Sequence, residues 1–189
     1  MEATLERIDA VNGAVNAIVA LRPRAELLAE ADRADATPRV GWLHGIPIAI
    51  KDLSDAEGLP TAKGSPLFAG TIAQKDSVFV SRIRAAGAII IGKTNTPEFG
   101  LGSHTFNPVY GPTRNPYDHT RSAGGSSGGA AAALATGMLS IADGSDMMGS
   151  LRNPAGWNNV YGMRPSWGTV PAEPEGDMFL HQLSMAGPM

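Results

Sequence analysis

Ser77-Val78-Phe79-Val80-Ser81-Arg82-Ile83-Arg84-Ala85-Ala86-Gly87-Ala88-Ile89-Ile90-Ile91-Gly92 is the stretch that decides the fold. Residues 77–86 read as a helix with Val80 and Ile83 turned inward, and Gly87 stands in the C′ position that stops it. The run Ala88 to Gly92 is short and wholly apolar, as expected of a strand covered on both faces. A helix running into a buried strand implies a crossover unit of an α/β sheet. Upstream, Ile46-Pro47-Ile48-Ala49-Ile50 reads as a second strand, with Lys51-Asp52 where it opens into the Pro/Gly-rich segment 53–70.

Further out the pattern holds on both sides. Leu5, Ile8 and Val11 fall at helical spacing behind Thr4, with Asn12-Gly13 ending that short helix. An apolar stretch from Val15 to Leu21 follows, then a helix over Arg24 to Ala34 and a loop from Pro38 to Gly45. Residues 95–123 are rich in loop formers. Gly128 to Met138 is alanine-dense and predicts a helix, followed by a strand over Leu139 to Ala142. Beyond Pro154 no periodic element is legible. There are no internal repeats and no internal boundary, so residues 1–189 read as one domain.

Composition narrows the function. The chain is 43% hydrophobic and 17% charged with a formal net charge of −3, an ordinary globular balance that offers nucleic acid no counterion-release term. It contains no cysteine, which removes disulfides, thiol nucleophiles and cysteine-ligated zinc. His44, His104, His119 and His181 show no metal-pair spacing, so neither a metal nor a cofactor is called for. The first residues lack a signal pattern, and the longest apolar stretch, Ala130 to Ala135, is too short to span a bilayer. These features read as a cytoplasmic protein that engages no membrane. The ending at Met185-Ala186-Gly187-Pro188-Met189, without a closing helix, reads as part of a larger fold.

Two serine-bearing glycine turns carry the chemistry: Gly124-Gly125-Ser126-Ser127-Gly128-Gly129 and Gly144-Ser145-Asp146-Met147-Met148-Gly149-Ser150. Glycines around a hydroxyl let a carbonyl and backbone N–H donors approach it closely. Lys51, at the end of a buried strand, is placed to lose its proton and act as a base. Together they point to serine acyl transfer without histidine. Other readings of the first turn fare worse. A P-loop needs Lys-Ser or Lys-Thr after the last glycine, where Ala130 and Ala131 stand, and no G-x-G-x-x-G is present. The G-x-S-x-G pattern occurs around both Ser126 and Ser127, so an α/β-hydrolase elbow competes. It requires a preceding strand and a downstream acid and histidine, and His181 is the sole downstream histidine. Taken singly, Lys51 reads as a solvated surface lysine and Ser150 as an N-cap.

Several collinear segments resemble the amidase signature family over nearly the whole chain. They are Leu43 to Asp52, Gly92-Lys93-Thr94-Asn95-Thr96-Pro97-Glu98-Phe99, Gly111 to Pro116, the Gly124–Gly129 turn and Gly149-Ser150-Leu151-Arg152-Asn153-Pro154-Ala155. The resemblance implies an α/β fold, a mixed β-sheet covered by helices. It also implies a Ser–cisSer–Lys triad, with Ser150 as nucleophile, Ser126 as bridging serine after a cis Gly125–Ser126 peptide, and Lys51 as base. The implied oxyanion hole is made of backbone N–H groups of Met147, Met148, Gly149 and Ser150. Ser127, Asp146 and Arg152 are implied supports, for which plain structural hydrogen bonding is an equal reading. Met148 departs from the family pattern, since many relatives carry Gly-Gly before the nucleophile. Members are usually more than twice as long, with more helix before the segment matching Met1 and more sheet and helix after Met189. The implied activity is hydrolysis of a small-molecule amide through an acyl-enzyme, and a homodimer is compatible with it. The alternatives are a glutaminase-like subunit of a tRNA-dependent amidotransferase and a non-catalytic remnant of an amidase.

Overall fold

The computed structural model describes residues 1–173 and 183–189. Its centre is a three-stranded sheet in the order β1-β3-β2, made of β1 (Ile18–Leu21), β2 (Pro47–Lys51) and β3 (Ile89–Thr94). β2 and β3 run parallel, joined through helix α3 (Val78–Ala85), which is the crossover that residues 77–92 predict. β1 pairs with β3 antiparallel, so the sheet is mixed. Side-chain alternation along the strands sorts the core onto two faces. Ala49, Ile89 and Ile91 pack with Leu5, Ile8, Leu27 and Ala130 to Ala133, which places α1 (Glu2–Val15), α2 (Arg24–Asp35) and α4 (Gly128–Ala135) on one side. Ile48, Ile50 and Ile90 pack with Val80 of α3 on the other.

Two antiparallel pairs complete the description: the hairpin β4 (Arg114–Asn115) with β5 (Asp118–Ser122), and the long-range pair β6 (Asp143–Asp146) with β7 (Met185–Pro188). A short 3-10 turn covers Glu98–Gly100, and α5 spans Arg152–Trp157.

The differences from expectation have local causes. The first helix does not end at Asn12-Gly13. It continues to Val15 and closes at Asn16 in the left-handed region, while the Asn12 side chain reaches forward to accept the N–H groups of Ala17 and Ile18. β3 runs past the apolar run through Lys93 and Thr94, both buried, because paired strands on either side satisfy the backbone there. The alanine helix stops at Ala135, three residues short of Met138, where Thr136 folds its hydroxyl back onto the carbonyl of Ala132. The strand expected over Leu139 to Ala142 lies instead at Asp143–Asp146. Its partner is the terminal segment Met185–Pro188, whose distance in sequence hid the pairing. That segment and α5 are regular elements beyond or across Pro154, where none was legible. Proline is tolerated in α5 because it sits in the first turn, where its missing N–H would have no intrahelical partner.

Candidate active site

The end of β2, the start of α4 and the end of β6 converge on Lys51. This lysine is the last residue of its strand and is 1% exposed. Its Nζ lies 2.7 Å from Ser126 Oγ, 2.8 Å from Ser127 Oγ and 2.9 Å from Ser145 Oγ. Among the described residues no carboxylate stands within ion-pair distance of that amine. Burial therefore dominates, and it lowers the Lys51 pKa to about 7, against the opposing charges of Asp143 and Asp146.

Ser126 and Ser127 form the entry to α4, and the Gly125–Ser126 peptide is cis. Both serines are buried. The helix start is pressed against the end of β3. A Cβ on Gly129 would lie 2.2 Å from the backbone N of Asn95, so only glycine fits that approach. Ser127 also ties the two serine segments together. Its N–H donates to the Ser150 carbonyl at 2.9 Å, and its Oγ accepts the Ser145 N–H at 3.2 Å.

Ser150 is half-buried at the turn after β6, and its Oγ makes no hydrogen bond among the described residues. The structure thus joins Lys51 to Ser126 directly and leaves the Ser126–Ser150 pair without a hydrogen bond. The turn itself hangs on Asp146. That carboxylate accepts the N–H groups of Gly149 (2.8 Å), Leu151 (3.4 Å) and Arg152 (3.2 Å), and the Arg152 guanidinium through Nε at 2.9 Å. Burial pushes the Asp146 carboxyl upward, but Arg152 and the backbone donors outweigh it and hold it at about 2. Arg152, in turn, is held above its usual value by Asp146.

Of the implied oxyanion donors, the Gly149 N–H is already given to Asp146, whereas the N–H groups of Met147, Met148 and Ser150 have no such partner among the described residues. Gly149 has φ +105°, and a Cβ there would sit 2.7 Å from Asn153 Nδ2. Met148 keeps a negative φ, and its side chain is 87% exposed, so the departure from glycine carries no backbone strain.

Two neighbours of Lys51 escaped the sequence reading. Asp143 accepts the Lys51 backbone N–H at 2.9 Å, and Ser145 supplies the third hydroxyl. Both lie on one face of β6, two residues apart, while Asp146 faces the other way toward the Ser150 turn. Reading residues 143–146 as a strand would have exposed that alternation. His181, which the hydrolase-elbow reading needs, lies outside the described residues. Those residues hold no cluster of three or more metal-ligating side chains, and none of their helices is long and apolar enough to cross a membrane.

Comparison with known proteins shows the family of the chain. The family model described as Amidase matches residues 1–189. The chain is 46% identical over 176 residues to an acylamidase of Rhodococcus erythropolis, covering 90% of this chain and 36% of that protein. It is 42% identical over 170 residues to a glutamyl-tRNA(Gln) amidotransferase subunit of Sulfurisphaera tokodaii, with the same coverages of 90% and 36%. A bacterial aryl acylamidase structure of the amidase signature enzymes superposes with a TM-score of 0.87 at 32% identity, over 99% of this chain and 40% of that one. The chain therefore spans well under half the length of the relatives it matches. With a family-wide match from the first residue to the last and a fold shared with solved members, this chain belongs to the amidase signature family.

Proposed function

We propose that this chain carries the catalytic centre of an amide hydrolase that works through a serine acyl-enzyme. The observation that carries the reading is the buried, uncharged-leaning amine of Lys51 at 2.7 Å from Ser126 Oγ, beside the turn that bears Ser150. In this mechanism the lone pair of neutral Lys51 accepts the proton of Ser126. Ser126 takes the proton of Ser150 as Ser150 Oγ bonds to the amide carbonyl carbon. The oxyanion is met by the N–H groups of Met147, Met148 and Ser150, with Gly149 contributing its shape. The proton returns along the relay to the leaving nitrogen, the C–N bond breaks, and water then hydrolyses the ester to acid and free serine. The Ser126–Ser150 hydrogen bond forms once the substrate presses the turn inward, as catalytic bonds commonly tighten on binding. Ser127 and Ser145 orient Lys51, and Asp146 with Arg152 holds the nucleophile turn. The substrate class is a small carboxylic amide, in keeping with the acylamidase relative, and the proposed setting is the cytoplasm.

The test is labelling with a fluorophosphonate followed by mapping of the modified residue. Modification at Ser150, abolished in Ser150→Ala, is the expected result. Modification at Ser126 alone would favour the hydrolase elbow, and an unlabelled chain a non-catalytic remnant. A second reading, the glutaminase-like subunit of a tRNA-dependent amidotransferase, is supported by the 42% identity to such a protein. It predicts ammonia release from glutamine only with partner subunits present.

A further inference from the structure

Four titratable side chains are buried together where β2, β3 and β6 meet: Lys51, Asp52, Lys93 and Asp143. Three of them have evident work. Lys51 faces the serines, and Lys93 donates to the Ser54 carbonyl and to Thr61 Oγ1 at 3.2 Å while standing 3.9 Å from Asp52. Asp52 also accepts the N–H groups of Ala62 and Gly64. Asp143 is different. It is 6% exposed, its one side-chain hydrogen bond among the described residues is to the Lys51 backbone N–H at 2.9 Å, and no lysine amine there reaches ion-pair distance of it.

That N–H belongs to the last residue of β2, where the ladder to β3 is ending. A carboxylate is a strong acceptor for it, and β6 is not otherwise hydrogen-bonded to β2 in a sheet. The bond therefore docks the strand carrying Ser145, Asp146 and the Ser150 turn onto the strand carrying the base. Direct pairing of Asp143 with the Lys51 amine would keep that amine protonated. Attachment to the backbone leaves the amine free for the hydroxyls and still supplies a negative charge behind it. We infer that Asp143 is a positioning residue: by accepting the Lys51 backbone N–H at 2.9 Å it fixes Lys51 against β6 and sets an acidic group behind the Lys51 amine without touching it. The inference rests on Lys51 being the base.

Other charges bear on Asp143. Burial pushes the Asp143 carboxyl up, and the backbone bond from Lys51 with the charges of Lys51 on β2 and Lys93 on β3 opposes that push without cancelling it. Asp146 shares its strand and also acts on Lys51. Arg82 of α3 lines the same apolar groove as Asp143.

The experiment uses the full chain with 13C-labelled lysine, following the Lys51 Cε resonance against pH. Asp143→Asn keeps an acceptor for the Lys51 N–H and removes the charge. Its Lys51 midpoint should fall by about one pH unit, since a neighbouring negative charge favours the ammonium form. Asp143→Leu removes the acceptor as well and strands a buried N–H, so fluorophosphonate labelling at Ser150 should slow about tenfold or more at every pH. An unmoved or raised Lys51 midpoint in Asp143→Asn overturns the inference, as does wild-type labelling in Asp143→Leu. Should Asp143→Leu not fold, the Asn titration decides alone. Wild-type protein that fails to label at Ser150 would sink the hydrolase reading, while the Lys51 titration would still decide the role of Asp143.

Discussion

Lys51 and Lys93 sit on adjacent parallel strands, one register step apart, and both are fully buried. They are otherwise opposites. Lys93 faces a carboxylate at 3.9 Å, a backbone carbonyl and one threonine hydroxyl at 3.2 Å, a set dominated by groups that accept hydrogen bonds and stabilise a cation. Lys51 faces three hydroxyls, each able to accept a proton or to give one. Burial lowers the proton affinity of both amines; Asp52 opposes it at Lys93 from 3.9 Å, whereas Asp143 and Asp146 oppose it at Lys51 from beyond ion-pair distance. Burial alone thus does not make a base. The difference lies in whether a carboxylate stands at ion-pair distance to hold the amine as a cation, or hydroxyls alone surround it.

The sharpest way to break this contrast is to remove each amine. Lys51→Met should cut the rate of Ser150 acylation by about 10³-fold or more, close to the loss in Ser126→Ala, because members of one relay are not additive. The double variant should lose no more than either single one, measured by burst-phase labelling. A Lys51→Met protein that acylates at a comparable rate would place the base elsewhere.

Lys93→Met should act on stability instead. It leaves the Asp52 carboxylate buried without its cation, a change that typically costs about 3–5 kcal/mol. Lys51→Met takes a cation from no carboxylate at ion-pair distance, so its stability should fall less. Urea unfolding of the two variants side by side checks the order, and equal losses would erase the distinction. Adding Asp52→Asn to Lys93→Met should recover part of the loss.

The pH dependence sharpens the same point. If neutral Lys51 is the active form, acylation rises as pH passes through about 7 and levels off above it. The stability sign follows from linkage. Between about 7 and the unfolded value near 10.5 the unfolded chain binds the extra proton, so stability climbs with pH across that window. Below about 7 the amine is charged in the folded and unfolded chain alike, and the cost of burying the ammonium is felt in full. Lys51→Met should flatten this rise, and chemical denaturation at a series of pH values would detect it.

The legible and illegible parts of this molecule divide along the same physical line. The helix and strand over 77–92 and the strand ending at Lys51 are readable because their patterning is local and apolar. The candidate residues Lys51, Ser126 and Ser150 are readable because glycine turns and collinear motifs mark them. Asp143 and Ser145 are not, since their meaning depends on β6, and β6 exists through pairing with Met185–Pro188, about forty residues away. The polar end of β3 is equally hidden. Nothing in Lys93-Thr94 predicts burial until Asp52, Ser54 and Thr61 are brought around it. Long-range polar satisfaction leaves little trace in a sequence window.

Arg152 tests the smallest effect and the outer edge of the comparison. Its side chain is 53% exposed, yet it bonds the fully buried Asp146 that holds the Ser150 turn. Exposure screens the pair, and Asp146 retains three backbone donors and a second cation, Arg164, at 3.6 Å. Arg152→Ala should therefore slow acylation only a few-fold. Its clearer signature lies at acid pH. The Asp146 carboxyl, held at about 2, contributes stability that is present above the usual carboxylate value near 4 and is lost as pH falls through its folded value. Removing the guanidinium raises that folded value, so acid unfolding of Arg152→Ala should begin at higher pH than in the wild type. Adding Arg164→Ala should move it further in the same direction. An Arg152→Ala protein as slow as Lys51→Met would mean that the guanidinium reaches the reacting atoms themselves, and the turn would have to be redrawn around it.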